Sequence, residues 1–203
     1  MGLENTTKLI YLNISAGKIC RRVGQPTENS ISRTNKNSML VHEEYYDRIT
    51  GIIRDIRTRT HEEYGKSWEL CIEDNGHLYA LQFKYASGYA NGFLRAIKNA
   101  DLTKQLTLIP HSKEENGKLK NTLFIHQLGR VLKHYYTKEN PNGIPILKKV
   151  KVKGVEEWDS TEIMEFLENM IHTDIKPLLV GNISKKTFPE TKYTPLTQET
   201  LSF

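Results

Sequence analysis

Residues 68–100 read WELCIEDNGHLYALQFKYASGYANGFLRAIKNA, and a change of period inside this stretch decides the fold. Trp68, Leu70 and Ile72 alternate with Glu69, Cys71 and Glu73, the two-residue repeat of a strand with one buried face. Asp74-Asn75-Gly76 follows, and Asn-Gly accepts the positive φ values of a tight hairpin turn. Leu78 to Tyr85 returns as a second strand, with Tyr79, Leu81, Phe83 and Tyr85 on one face. After Ala86-Ser87-Gly88 the repeat lengthens. Tyr89, Phe93, Ile97 and Ala100 recur at helical spacing behind a Ser87 cap, predicting an amphipathic helix over 89–100.

Upstream, Ile49, Gly51, Ile53 and Ile56 predict a strand bent at Gly51 or at a bulge, because Ile52 spoils clean alternation. Downstream, Gln105–Ile109 and Leu119–Leu128 predict two more, joined by the polar loop His111–Lys118. From Tyr45 to Val131 the order is therefore strand, strand, strand, short helix, strand, strand. That is the order of a five-stranded OB-type barrel, whose exposed face can grip single-stranded nucleic acid. The expected fold class is mainly β: this barrel with a helix between strands three and four, an N-terminal hairpin and a C-terminal amphipathic helix.

Four segments follow. Residues 1–41 hold a hairpin over Leu9–Val23 and a flexible polar loop over 24–38. Residues 42–155 hold the barrel and a basic extended arm. In residues 156–180, Asp159-Ser160-Thr161-Glu162 opens a helix with an apolar stripe of Ile163, Phe166, Leu167, Met170 and Ile171, which Pro177 ends. That stripe has two places to bury, the chain's own barrel or a second subunit. Residues 181–203 read as a tail.

The net charge of +5 is uneven. Residues 1–41 carry six Lys and Arg against two acids, residues 42–154 carry 19 against 13, and residues 155–203 carry four against nine. A basic body with an acidic end fits a nucleic-acid binder as well as a mixed solvated surface. No apolar run is long enough to span a membrane, and the start has no secretory pattern. Met1-Gly2 opens a formal myristoylation match too short to carry weight. Cys20 and Cys71 are too few for a disulfide scaffold and read as reduced, buried thiols.

Three constellations could contact nucleic acid. Arg54, Arg57 and Arg59, followed by Lys66, form a cationic row along one strand, with Asp55, Glu62 and Glu63 as competing partners. Tyr79, Tyr85, Tyr135 and Tyr136 are the rings expected to stack bases, although part of the aromatic set must be core. Lys148, Lys149 and Lys151, with Lys153, Lys133 and Lys138, form a cationic arm, or a solvated edge strand. No catalytic motif competes. The seven histidines show no metal-ligand spacing, no phosphate-binding loop is present, and the carboxylate pairs are sequence neighbours in polar segments. No metal, cofactor or enzymatic activity is expected.

KLIYLNISAGKICRRV at residues 8–23, YYDRITGIIRDIRTRT at residues 45–60, the SGYAN helix start and YTKENPNGIP at residues 136–145 resemble small OB-fold single-stranded DNA-binding proteins of tailed bacteriophages, including crAss-like phages. The resemblance spans about residues 8–180. It implies non-specific binding and protection of single-stranded DNA in phage replication or recombination, in the cytoplasm of the infected host. Replication proteins and a homo-oligomer are the protein partners it leaves open, and RNA is an alternative ligand. One departure stands out: the chain ends in Phe203, but TPLTQETLSF carries a single acid, Glu199. A second reading is a protein-interaction or virion-associated module on the same barrel. It gains if Arg54, Arg57 and Arg59 each pair with a carboxylate and no basic groove exists.

Overall fold

The computed structural model describes residues 8–35, 38–152 and 154–180. The protein is mainly β. Its strands are β1 Leu9–Ser15, β2 Lys18–Val23, β3 Ser30–Thr34, β4 Leu40–Tyr46, β5 Ile49–His61, β6 Gly65–Asp74, β7 His77–Lys84, β8 Leu106–Glu115, β9 Lys118–Gln127, β10 Arg130–Val131, β11 Lys148–Val152 and β12 Val155–Asp159. Its helices are α1 Gly88–Ala96, α2 Thr161–Met170 and α3 Lys176–Val180. A 3-10 turn, Ile97–Asn99, extends α1, and a π segment, Ile171–Ile175, joins α2 to α3.

The period change at residues 85–89 falls where the sequence places it. β6 and β7 pair from Ser67↔Lys84 to Asp74↔His77 through an Asn75-Gly76 turn at φ +48° and +80°. The Ser87 hydroxyl accepts from the Ala90 N–H and caps α1. β5 carries both suspected irregularities. Its first residues, Ile49–Gly51, pair with β8, and from Ile52 it pairs with β6, with a bulge between Ile53 and Asp55. β8 continues through His111–Glu115, so most of the expected polar loop is ladder.

Ten strands form one open sheet in the order β10-β9-β8-β5-β6-β7-β1-β2-β4-β3. A closed five-stranded barrel is therefore not what this chain builds. Closing the unit β9-β8-β5-β6-β7 would require β7 to meet β9. β1 takes the free edge of β7 instead, running parallel from Leu9↔Leu78 to Asn13↔Gln82. The physical reason is register: Ile10 and Leu12 line up beside Tyr79 and Leu81, so the N-terminal hairpin extends the same apolar face. The segment read as a flexible loop also supplies β3, which pairs with β4 from Ser30↔Glu44 to Thr34↔Leu40.

The sheet's inner face, α1 and α2 enclose one continuous core containing Leu12, Ile19, Ile56, Trp68, Leu81, Phe93 and Leu123. Ile163, Leu167, Met170 and Ile171 of the C-terminal helix are buried in this same core, so its stripe packs on the chain's own sheet. Helix α1 lies tight on β9: a Cβ on Gly88 would stand 2.1 Å from the Asn121 carbonyl oxygen. Pro177 does not end the C-terminal helix. It sits in α3 directly after the π segment, a widened turn of the kind that accommodates a residue with no N–H to donate. The tail 181–203, the start 1–7 and Lys153 lie outside the described residues. Among the described residues no helix is long and apolar enough to cross a membrane.

Candidate nucleic-acid interface

On the sheet's outer face one line of register runs through Arg57, Glu69, Gln82, Asn13, Cys20 and Tyr45, across β5, β6, β7, β1, β2 and β4. The expected cationic row stands at its end, and each of its arginines is already engaged. Arg54 Nε donates to Glu73 Oε2 at 2.7 Å. Arg57 Nε donates to Glu69 Oε1 at 2.6 Å, and Arg59 Nε lies 2.9 Å from Glu69 Oε2 without hydrogen-bond alignment. Glu69 is fully buried, with Gln82 Nε2 donating to it from the far side at 2.7 Å. A carboxylate removed from water needs compensating charge, and two guanidiniums supply it here. The structure thus brings the row together but gives it a structural task.

Lys66 and Tyr85 are engaged as well. Lys66 Nζ and the Tyr85 hydroxyl both donate to Glu168 Oε2 of α2, at 2.5 and 2.6 Å, and Thr58 Oγ1 donates to Oε1 at 3.0 Å. Burial works to raise the Glu168 carboxyl's pKa, but these three donors outweigh it and hold it below its ordinary value. Tyr85 also stacks on buried Trp68, ring centroids 5.6 Å apart at 10°, so it is no free platform for a base.

Tyr136 is 2% exposed and packs edge-on against Phe166, at 5.6 Å between centroids. Tyr135 is half-buried beneath Lys98, whose Nζ lies 4.8 Å from the ring centre. Both rings hold the segment after β10 onto the body, aided by the Tyr135 N–H donating to the Arg95 carbonyl at 2.7 Å.

The cationic arm is a two-stranded ribbon. β11 and β12 pair from Lys148↔Asp159 to Val152↔Val155, which puts Lys149, Lys151, Glu156 and Trp158 on one face. Lys148 Nζ donates to both Glu162 oxygens, at 2.6 and 2.8 Å, and ties the ribbon to α2. Lys149 Nζ donates to Glu156 at 3.0 Å and lies 5.1 Å from the centre of the Trp158 indole. Lys151 is exposed and has no side-chain partner among the described residues. Trp158 is 64% exposed.

Trp158 is the residue that sequence reasoning missed. The available signal was weak: a lysine alternation, a glycine at 154 and a short polar return strand with an aromatic before its last residue.

Tyr79, one of the expected rings, lines an open pocket. This pocket of about 250 Å³ is also lined by Leu12, Ile19, Arg21, Tyr46, Arg48, Ile49, Thr50 and Asp74. Arg21, Tyr46 and Arg48 were not expected to contribute. The two cysteines are free and buried, as expected, and burial pushes each thiol up to about 12.

No family model, curated protein or solved structure matches this chain.

Proposed function

We propose that this protein binds single-stranded DNA without catalysing a reaction, and that the β11–β12 ribbon makes the principal contact. The observation that carries this is Trp158, 64% exposed on the same ribbon face as Lys149 and Lys151. A base needs an open π face beside a cation, and each stacked base contributes roughly 1–3 kcal/mol. The ribbon supplies ring and charge together, which the arginine row does not. The unit β9-β8-β5-β6-β7 with α1 supports the reading as an opened relative of the OB arrangement. Protection of DNA during phage replication or recombination is the setting that the sequence resemblance suggests.

The test is a titration of fluorescent oligo-dT and of a matched duplex at two salt concentrations. Tighter binding of the single strand, weakening steeply with salt, supports the proposal. Equal affinity for both, or indifference to salt, counts against it.

A second reading has its own support. Arg54, Arg57 and Arg59 each pair with a carboxylate, and the apolar side chains of Ile146, Val155 and Trp158 are exposed. Both features suit a ribbon that docks on a protein. A Trp158→Ala variant that retains full oligo-dT affinity would favour this reading.

A further inference from the structure

The pocket beside Tyr79 has a polarity that the ribbon does not share. Arg21 and Tyr46 stand on its β2–β4 wall, Asp74 and Tyr79 on its β6–β7 wall, and Arg48, Ile49 and Thr50 bridge the two. Leu12, Ile19 and Ile49 supply aliphatic lining that runs into the core. The charges are not spent on one another. Among the described residues neither Arg48 nor Asp74 has a side-chain hydrogen bond or ion pair; Arg48 feels only the charge of neighbouring Asp47, which Lys18 pairs. Arg21 stands beside Glu44, its Nη1 3.5 Å from Glu44 Oε2, and also interacts with the Tyr46 hydroxyl. The Tyr46 hydroxyl donates to that same oxygen at 2.6 Å, which fixes its ring at the pocket wall. An anionic ligand group would meet two guanidiniums, and a hydrogen-bond donor would meet a free carboxylate beside a ring.

We propose that this pocket holds one nucleoside 5′-phosphate unit. The phosphate sits on Arg48 and Arg21, and the base packs against Tyr79 with its exocyclic amine donating to Asp74. The volume limits the occupant to about one nucleotide. Guanidinium forks recognise phosphate oxygens, and a carboxylate accepts from base amines such as cytosine N4. The unit could come from a free nucleotide or from the phosphorylated 5′ end of a strand, since both present the same groups. The inference goes beyond the ribbon reading, because a lone nucleotide needs no track for a strand.

Calorimetry on the full chain tests it, with 5′-dGMP, deoxyguanosine, 5′-dTMP and inorganic phosphate as ligands. Short oligonucleotides beginning in G, with and without a 5′-phosphate, distinguish the two sources. The expected result is dGMP binding at least about tenfold tighter than deoxyguanosine, dTMP or phosphate alone, the size of effect that one charged hydrogen-bonded contact gives. Arg48→Ala removes the advantage of dGMP over deoxyguanosine, and Asp74→Asn removes the advantage over dTMP. Failure of both dGMP and the 5′-phosphorylated oligonucleotide to bind overturns the proposal, as does dGMP binding unchanged in Arg48→Ala. Trp158→Ala keeps the two claims apart: it leaves dGMP binding intact while oligo-dT binding falls. If dGMP binds and oligo-dT never does, the pocket stands and the ribbon reading falls.

Discussion

Arg57 Nε donates to Glu69 Oε1 across 2.6 Å, and the carboxylate that receives it is fully buried. Removing one partner of a buried pair leaves an uncompensated charge. Arg57→Ala should therefore lower the unfolding free energy by about 3 kcal/mol, at the low end of the range for a broken buried pair. Urea denaturation checks the loss. The same variant should leave the oligo-dT affinity of the folded protein nearly unchanged, because this arginine serves the sheet. A large loss of affinity without loss of stability would move the DNA contact back to β5.

Glu168 gathers Lys66, Tyr85 and Thr58 around one carboxylate and so locks α2 onto the sheet. Its folded pKa lies below the ordinary value of 4.5. A depressed carboxylate stabilises the fold above its unfolded pKa and loses that contribution as pH falls through the folded one. The stability gap between wild type and Glu168→Gln should be full at neutral pH and should close as pH drops below 4.5. Thermal melts of both proteins across that range measure it. A gap that widens in acid would refute the assignment.

Cys20 and Cys71 are buried thiols whose pKa burial raises to about 12. Since the thiolate is the reactive form, neither should react with a chromogenic disulfide reagent at neutral pH while the protein is folded. Both should react on addition of denaturant. Rapid labelling of the native protein would show that the β2 or β6 face opens.

Gly88 begins α1 where the helix touches β9, and a methyl group there would meet the Asn121 carbonyl oxygen at 2.1 Å. Backbone cannot yield as the end of a flexible side chain can. Gly88→Ala should cost about 1–3 kcal/mol, the range for overpacking a well-filled site. Ala86→Gly, outside that contact, should cost much less. Equal costs would mean that α1 does not press on β9 in solution.

The elements legible in the sequence are those whose signal is local. The Asn75-Gly76 turn, the Ser87 cap and the helical spacing of Tyr89, Phe93 and Ile97 each act within a few residues, and each stands where expected. Strand β3 was hidden because nothing local makes Ser30–Thr34 a strand. Pairing with β4 does, helped by Arg33 Nε donating to Glu43 Oε2 at 2.9 Å. The open sheet was hidden for a similar reason, since which strand takes the edge of β7 depends on matching two distant apolar faces. In the candidate site, the cations of the β5 row were legible but their partners were not, because cross-strand register sets Glu69 opposite Arg57, and Glu73, opposite Ile52, reaches the bulge residue Arg54 diagonally. Trp158 escaped because its short polar strand carries almost no apolar alternation.

The chain's two tryptophans make the ribbon's role directly measurable. Trp68 is buried in the core and Trp158 is exposed on the ribbon, so a ligand that quenches tryptophan emission from outside reports on Trp158. Titration of the wild-type protein with oligo-dT, followed by intrinsic fluorescence, should show saturable quenching that weakens as salt is raised. Lys149→Ala/Lys151→Ala should shift the midpoint upward by about tenfold, in keeping with the loss of two phosphate contacts. Saturable binding of oligo-dT with no change in tryptophan emission would contradict a ribbon that stacks bases on Trp158.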